Sequence, residues 1–137
     1  MKKYARNSIF YTVLALVGGV FFREFTKMNG FTGATALGLV HTHYLMLGTF
    51  FFLILLVLDR LFHVSERLGK VLVAYHVGLN LSVGMMLVRG VAQVLSTPLS
   101  VGANAAISGI AGVGHIILGV SLVMVLVNVY RAVQAAE

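Results

Sequence analysis

The stretch TALGLVHTHYLMLGTFFFLILLVL, residues 35–58, contains no Asp, Glu, Lys or Arg and closes on Asp59 and Arg60. As a helix it rises about 36 Å, enough to cross the roughly 30 Å hydrocarbon layer of a bilayer with some tilt. Three further apolar runs of comparable character surround it, at about Ser8 to Phe25, Leu68 to Val88 and Ala106 to Tyr130. A backbone inside lipid must satisfy its own hydrogen bonds, so these runs are expected to be helical. The expected fold is all-α: one integral membrane four-helix bundle over residues 1–137, with spans near 8–25, 35–58, 68–88 and 106–130.

Composition agrees with this reading. Of the 137 residues, 59% are apolar and 10% charged, where a soluble domain carries about a quarter charged. Mean hydropathy is +0.97. Four acidic and ten basic residues are too few to cover a water-soluble surface. The net charge of +6 does not point to nucleic acid, because the basic residues lie between spans and leave no stripe to follow a phosphate backbone. They orient the chain and meet anionic lipid headgroups instead. Lys2, Lys3, Arg6, Arg60, Arg67, Lys70 and Arg131 fall on one side, and Arg23, Lys27 and Arg89 on the other. The positive-inside rule therefore predicts cytoplasmic N- and C-termini. The first apolar run continues through Val20, Phe21 and Phe22 without a small-residue cleavage site, so it reads as an uncleaved helix rather than a signal peptide.

The histidines carry the chemistry. His63 lies in a basic loop, but His41, His43, His76 and His115 fall within spans, where an ionisable ring requires a partner, a cavity or a metal. Counting helical rise, His41, His43 and His115 lie roughly 9–13 Å below one end of their spans, and His76 a few ångströms lower. His41 and His43 are about 200° apart around their helix and cannot easily serve one centre. His41 shares its stripe with Gly38, Gly48 and Phe52, whereas His115 has Gly112 and Gly119 beside it. Two histidines on facing helices, cushioned by glycine as His41 and His115 are, fit a haem ligated from both sides, and His43, on the opposite face, is left open between a second site and a protomer interface. The chain has no cysteine, which excludes covalent c-type attachment and leaves a non-covalent b-type haem. Copper or zinc held by the same imidazoles is the other chemistry left open. Arg23, beside Glu24 at the rim of the first span, is either ordinary interfacial charge or a cation for a haem propionate. A third reading makes the histidines interhelical hydrogen-bonding groups in a non-catalytic assembly component. Nucleophile–base motifs, paired carboxylates and a phosphate loop with its lysine are all absent, so no enzymatic reaction is assigned. Glycine-rich spans further suggest close helix packing within a protomer or across a homodimer.

The run GGVFFREFTK at residues 18–27 and the run TALGLVHTHYLMLG at residues 35–48, with His76 and His115, resemble an uncharacterised family of small four-helix bacterial membrane proteins over nearly the whole chain. That resemblance implies a bacterial inner-membrane location. A looser similarity is to histidine-bearing membrane haem proteins such as b-type cytochromes, haem A synthase and the haem-copper oxidase core. It implies haem ligation by His41, His76 and His115 and a quinol or membrane redox partner, although this chain arranges too few histidines for an oxygen-reducing centre.

Overall fold

The computed structural model describes residues 1–64 and 68–136; Arg67, counted above among the basic residues of one side, lies outside them. Four long helices account for nearly all of the described chain: α1 (Lys2–Met28), α2 (Leu37–Phe62), α3 (Gly69–Val94) and α4 (Val101–Gln134). Each is long and apolar enough to cross a membrane, and the chain is a multi-pass membrane protein. The helices extend past the apolar cores expected from sequence, because polar ends such as Lys2–Asn7 and Arg131–Gln134 continue the same winding.

The turns follow local chemistry. After α1 the chain reverses at Gly30, whose φ of +60° is a left-handed conformation open to glycine at no steric cost. His63 closes α2 in the same region, with φ 52°. Ser100 opens α4 by accepting a hydrogen bond from Ala103 N at 3.1 Å, which satisfies one of the unpaired donors of the first turn. Pro98 sits in the α3–α4 connection, where it interrupts no ladder.

In sequence order α1 packs on α2, α2 on α3, and α3 on α4. Small residues set these distances. A Cβ built on Gly78 would lie 2.5 Å from Leu118 N, and one on Gly114 would lie 2.7 Å from Ser82 Oγ, so α3 and α4 meet nearly backbone to backbone. In the same way Gly48 receives the Tyr11 ring, with 2.5 Å from a built Cβ to Tyr11 Cβ and Cγ. Such approaches are the main packing device where lipid removes the hydrophobic drive between helices. Tyr4, Tyr11, Phe52, Leu55, Tyr75 and Leu79 form the centre of the core, all at most 2% exposed. Apolar faces such as Ile9, Val13, Leu16 and Val20 of α1, and Ile116, Val120 and Val123 of α4, point outward as a lipid-facing surface does.

The second helix is not uniform. Leu37–His43 is α-helical, Tyr44–Phe50 is π-helical, and Phe51–Phe62 is α-helical again. Hydroxyls from two other helices attend the wide turns. Ser8 Oγ donates to Thr49 O at 3.2 Å and Tyr75 Oη to Leu47 O at 2.8 Å, while Thr12 and Thr49 hydroxyls pair at 3.0 Å. Nothing in the sequence reading anticipated this segment; its one local sign is the Gly48-Thr49 pair inside an otherwise continuous apolar run. π-Helical turns are rare and concentrate at functional sites.

Candidate functional site

The four intramembrane histidines separate into three environments. His76, on α3, is bound into the bundle through both ring nitrogens. Its Nδ1 lies 2.6 Å from Tyr11 Oη, and its Nε2 lies 3.1 Å from Asn7 Nδ2. With Nε2 accepting from that amide, the single proton of the neutral ring sits on Nδ1 and is donated to Tyr11 Oη. Asn80 Nδ2 donates to the same hydroxyl at 3.0 Å and to His76 O at 2.8 Å, and Tyr44 Oη donates to Asn80 Oδ1 at 3.1 Å. The ring also stacks on Phe52, at 5.0 Å between centroids, and on Tyr11, at 5.6 Å. His76 thus joins α1, α2 and α3, and neither ring nitrogen is free for a metal.

His41, on α2, faces α1. Its Cβ and Cγ are 3.7 and 3.8 Å from the position of a Cβ on Gly19, and its neighbours on the same stripe are covered as well: Gly38 lies against Phe22, Gly48 against Tyr11, and Phe52 is fully buried. The glycines of this stripe admit helix α1 rather than a planar ligand. His41 Nδ1 is buried and has no hydrogen-bond partner among the described residues.

His43 and His115 face each other. Their ring centroids are 6.5 Å apart with the rings nearly perpendicular, at 88°. Nδ1 of His43 donates to Leu39 O at 2.8 Å, and Nδ1 of His115 donates to Ala111 O at 2.8 Å. A carbonyl only accepts, so each Nδ1 carries a proton, and in the neutral ring that leaves the lone pair on Nε2. Among the described residues neither Nε2 has a hydrogen-bond partner. A ring held at one nitrogen by a backbone carbonyl, with the other nitrogen unprotonated, is how proteins orient an imidazole ligand. Around the pair the surface is open: a Cβ on Gly112 or Gly119, three before and four after His115, would meet nothing within 4 Å. His43 lines a shallow groove with Thr42, Met46 and Leu47.

The spacing of the ring centroids is comparable with that of two imidazoles on opposite sides of one metal. Two metal–nitrogen bonds of about 2 Å, plus the two ring radii, set centroids roughly 6–6.5 Å apart, and the pair stands at 6.5 Å. Gly112 and Gly119 leave open space beside His115, whereas the glycines of the His41 stripe are covered by side chains of α1. Among the described residues no group of three or more His, Asp or Glu side chains could hold an ion, so a closed site for a bare metal made of those groups is not present there.

The other candidate, Arg23, is on α1, which packs chiefly on α2. Its side chain is 79% exposed and its Nε is 3.7 Å from Glu24 Oε1, a loose surface pair. A second cation proves more engaged. Arg89, on α3, donates from Nη1 to Asn104 Oδ1 at 3.1 Å and from Nη2 to Ser108 Oγ at 2.8 Å, both on α4. The sequence offered a sign of Tyr11: a phenol inside an apolar span has to bring its polar end to a partner. Arg89, at the end of its span, reads from sequence only as an interfacial charge.

Over residues 1–132 the sequence matches the model of the family described as "Protein of unknown function (DUF2871)", and the chain belongs to that family. No curated protein and no solved structure matches it.

Proposed function

We propose that this member of the family is a bacterial inner-membrane protein, with both termini cytoplasmic, that holds a non-covalent b-type haem between His43 and His115 and acts in electron transfer. The observation that carries the reading is the pairing of two imidazoles on different helices, 6.5 Å apart, each with Nδ1 tied to a carbonyl and Nε2 left with a lone pair. A haem bound there supplies one-electron redox chemistry, tuned by its axial ligands and burial. The chain's own contribution is positional. Leu39 O and Ala111 O fix the tautomer and ring orientation, Gly112 and Gly119 clear the adjoining surface, and Met46 and Leu47 give the site an apolar wall. Quinol or a membrane dehydrogenase is the class of donor that such a site would serve.

The test is the visible spectrum of the detergent-purified protein, oxidised and then reduced. Haem ligated by two histidines gives a sharp Soret band and resolved bands on reduction, and His43→Ala and His115→Ala should each remove them. A protein that stays colourless after incubation with excess haem would refute the proposal. A copper reading has one observation in its favour: Met46, a soft thioether, lines the groove beside His43, and thioether with imidazole suits Cu(I). Metal analysis of the same preparation separates the two.

A further inference from the structure

We infer that Arg89 is the anion-binding subsite of the His43–His115 centre, and that the ligand held there carries a carboxylate arm which this guanidinium recognises. The inference rests on the haem reading above and extends it to a residue and a ligand group.

Three observations converge. First, Ser108 and His115 are seven residues apart on α4, so they share a face of that helix and differ by about 10.5 Å in height. Gly112 lies between them on the same side, and a Cβ there would meet nothing within 4 Å. Second, the Arg89 guanidinium is held at the upper end of this strip by α4 itself, through Asn104 Oδ1 at 3.1 Å and Ser108 Oγ at 2.8 Å. Third, every one of these partners is neutral. Among the described residues Arg89 makes no ion pair with a carboxylate. Arg89 sits at the membrane-interface end of its span, and a guanidinium's planar fork of donors suits a carboxylate. The rise from His115 to Ser108 is comparable with the distance from the centre of a tetrapyrrole to its carboxylate arms, so Arg89, rather than the exposed Arg23 on α1, would be the cation within their reach.

The alternative source of an anion is a lipid phosphate, and the experiment distinguishes the two. Wild-type protein and Arg89→Gln, each in nanodiscs of zwitterionic lipid, are titrated with ferric haem and with its dimethyl ester, which has the same ring and iron but no charged arms. A charge-assisted contact predicts that Arg89→Gln binds haem about tenfold or more weakly, that its reduced spectrum keeps the two-histidine form, and that the wild type discriminates against the ester by a similar factor while Arg89→Gln does not. Arg89→Lys should recover part of the loss, and Arg131→Gln, at the other end of α4, should bind both forms as the wild type does. Equal affinity of wild type and Arg89→Gln for both forms, with a two-histidine spectrum in each, overturns the subsite and leaves the haem site standing. A weakened variant that shows no change in ester discrimination assigns Arg89 a purely structural role and overturns it as well. A dependence on Arg89 that appears only when anionic lipid is added identifies a headgroup phosphate and likewise overturns it. Failure of wild-type protein to bind haem refutes the parent reading.

Discussion

His76 and the His43–His115 pair are both histidine in a membrane-crossing helix, and they differ in how the two ring nitrogens are engaged. At His76 both nitrogens face partners inside the bundle, and the ring is clasped between Tyr11 and Phe52. At His43 and His115 one nitrogen is bound to the carbonyl four residues earlier and the other has no hydrogen-bond partner among the described residues. The first arrangement uses the histidine to hold three helices; the second uses the helix to hold a histidine. Residue type and depth alone do not separate these roles, whereas the hydrogen-bond inventory of each ring does.

The comparison breaks most sharply in the cofactor. Replacing His43 or His115 by Ala should abolish the two-histidine haem spectrum, whereas His76→Leu should retain it; loss of the spectrum in His76→Leu with retention in His43→Ala would reverse the two roles. Next in size is the scaffold on which both regions depend. Gly78→Val pushes a side chain into Leu118 N and Cα and Gly114 O, all backbone atoms that cannot yield, and should cost about 3 kcal/mol in reversible unfolding followed by circular dichroism. His76→Leu should cost about 1–3 kcal/mol in the same assay, because it leaves the Asn7 amide without its partner and the Tyr11 hydroxyl with Asn80 alone. The smallest effect belongs to Gly112→Ala, whose added methyl enters open space and should change stability by less than about 0.5 kcal/mol. Gly112 and Gly78 lie on adjoining helices, so the contrast between them tests whether open glycines are reserved for something other than helix packing.

Much of this was legible in the sequence. The four helices follow from apolar length, because lipid leaves the backbone no alternative. That ionisable rings inside the spans take hydrogen-bond partners, as His43, His76 and His115 do, follows from the cost of placing them there. The separation of His41 from His43 also follows, since two residues along a helix turn the chain through about 200°. Which of the two faces which neighbour did not follow. Gly38 and Gly48 beside His41 looked like room for a porphyrin, yet Phe22 and Tyr11 occupy that room. Glycine marks a close approach, and the sequence does not say whether a helix or a ligand makes it. The aromatic cluster around Tyr11 was equally hidden, because it assembles from α1, α2 and α3 and no single helix displays it.

The π-helical segment Tyr44–Phe50 has a consequence for the phase of α2. Below it, Phe52 and Leu55 are committed to the core; above it, His43 looks toward α4. A uniformly wound α-helix fixes the azimuth of one set once the other is placed. The slower winding of the wide turns releases that constraint and lets the two halves be aimed separately. Deleting one residue from the segment would restore even winding. With Phe52 still seated, that deletion would leave His43 on about its present bearing, because the wide turns lag an even α-helix by roughly one residue; rewinding all seven residues as α would instead swing it about 100° away from its partner. Helix α2 therefore works as two rotors on one axis, and its one irregular stretch is the coupling that sets the angle between them.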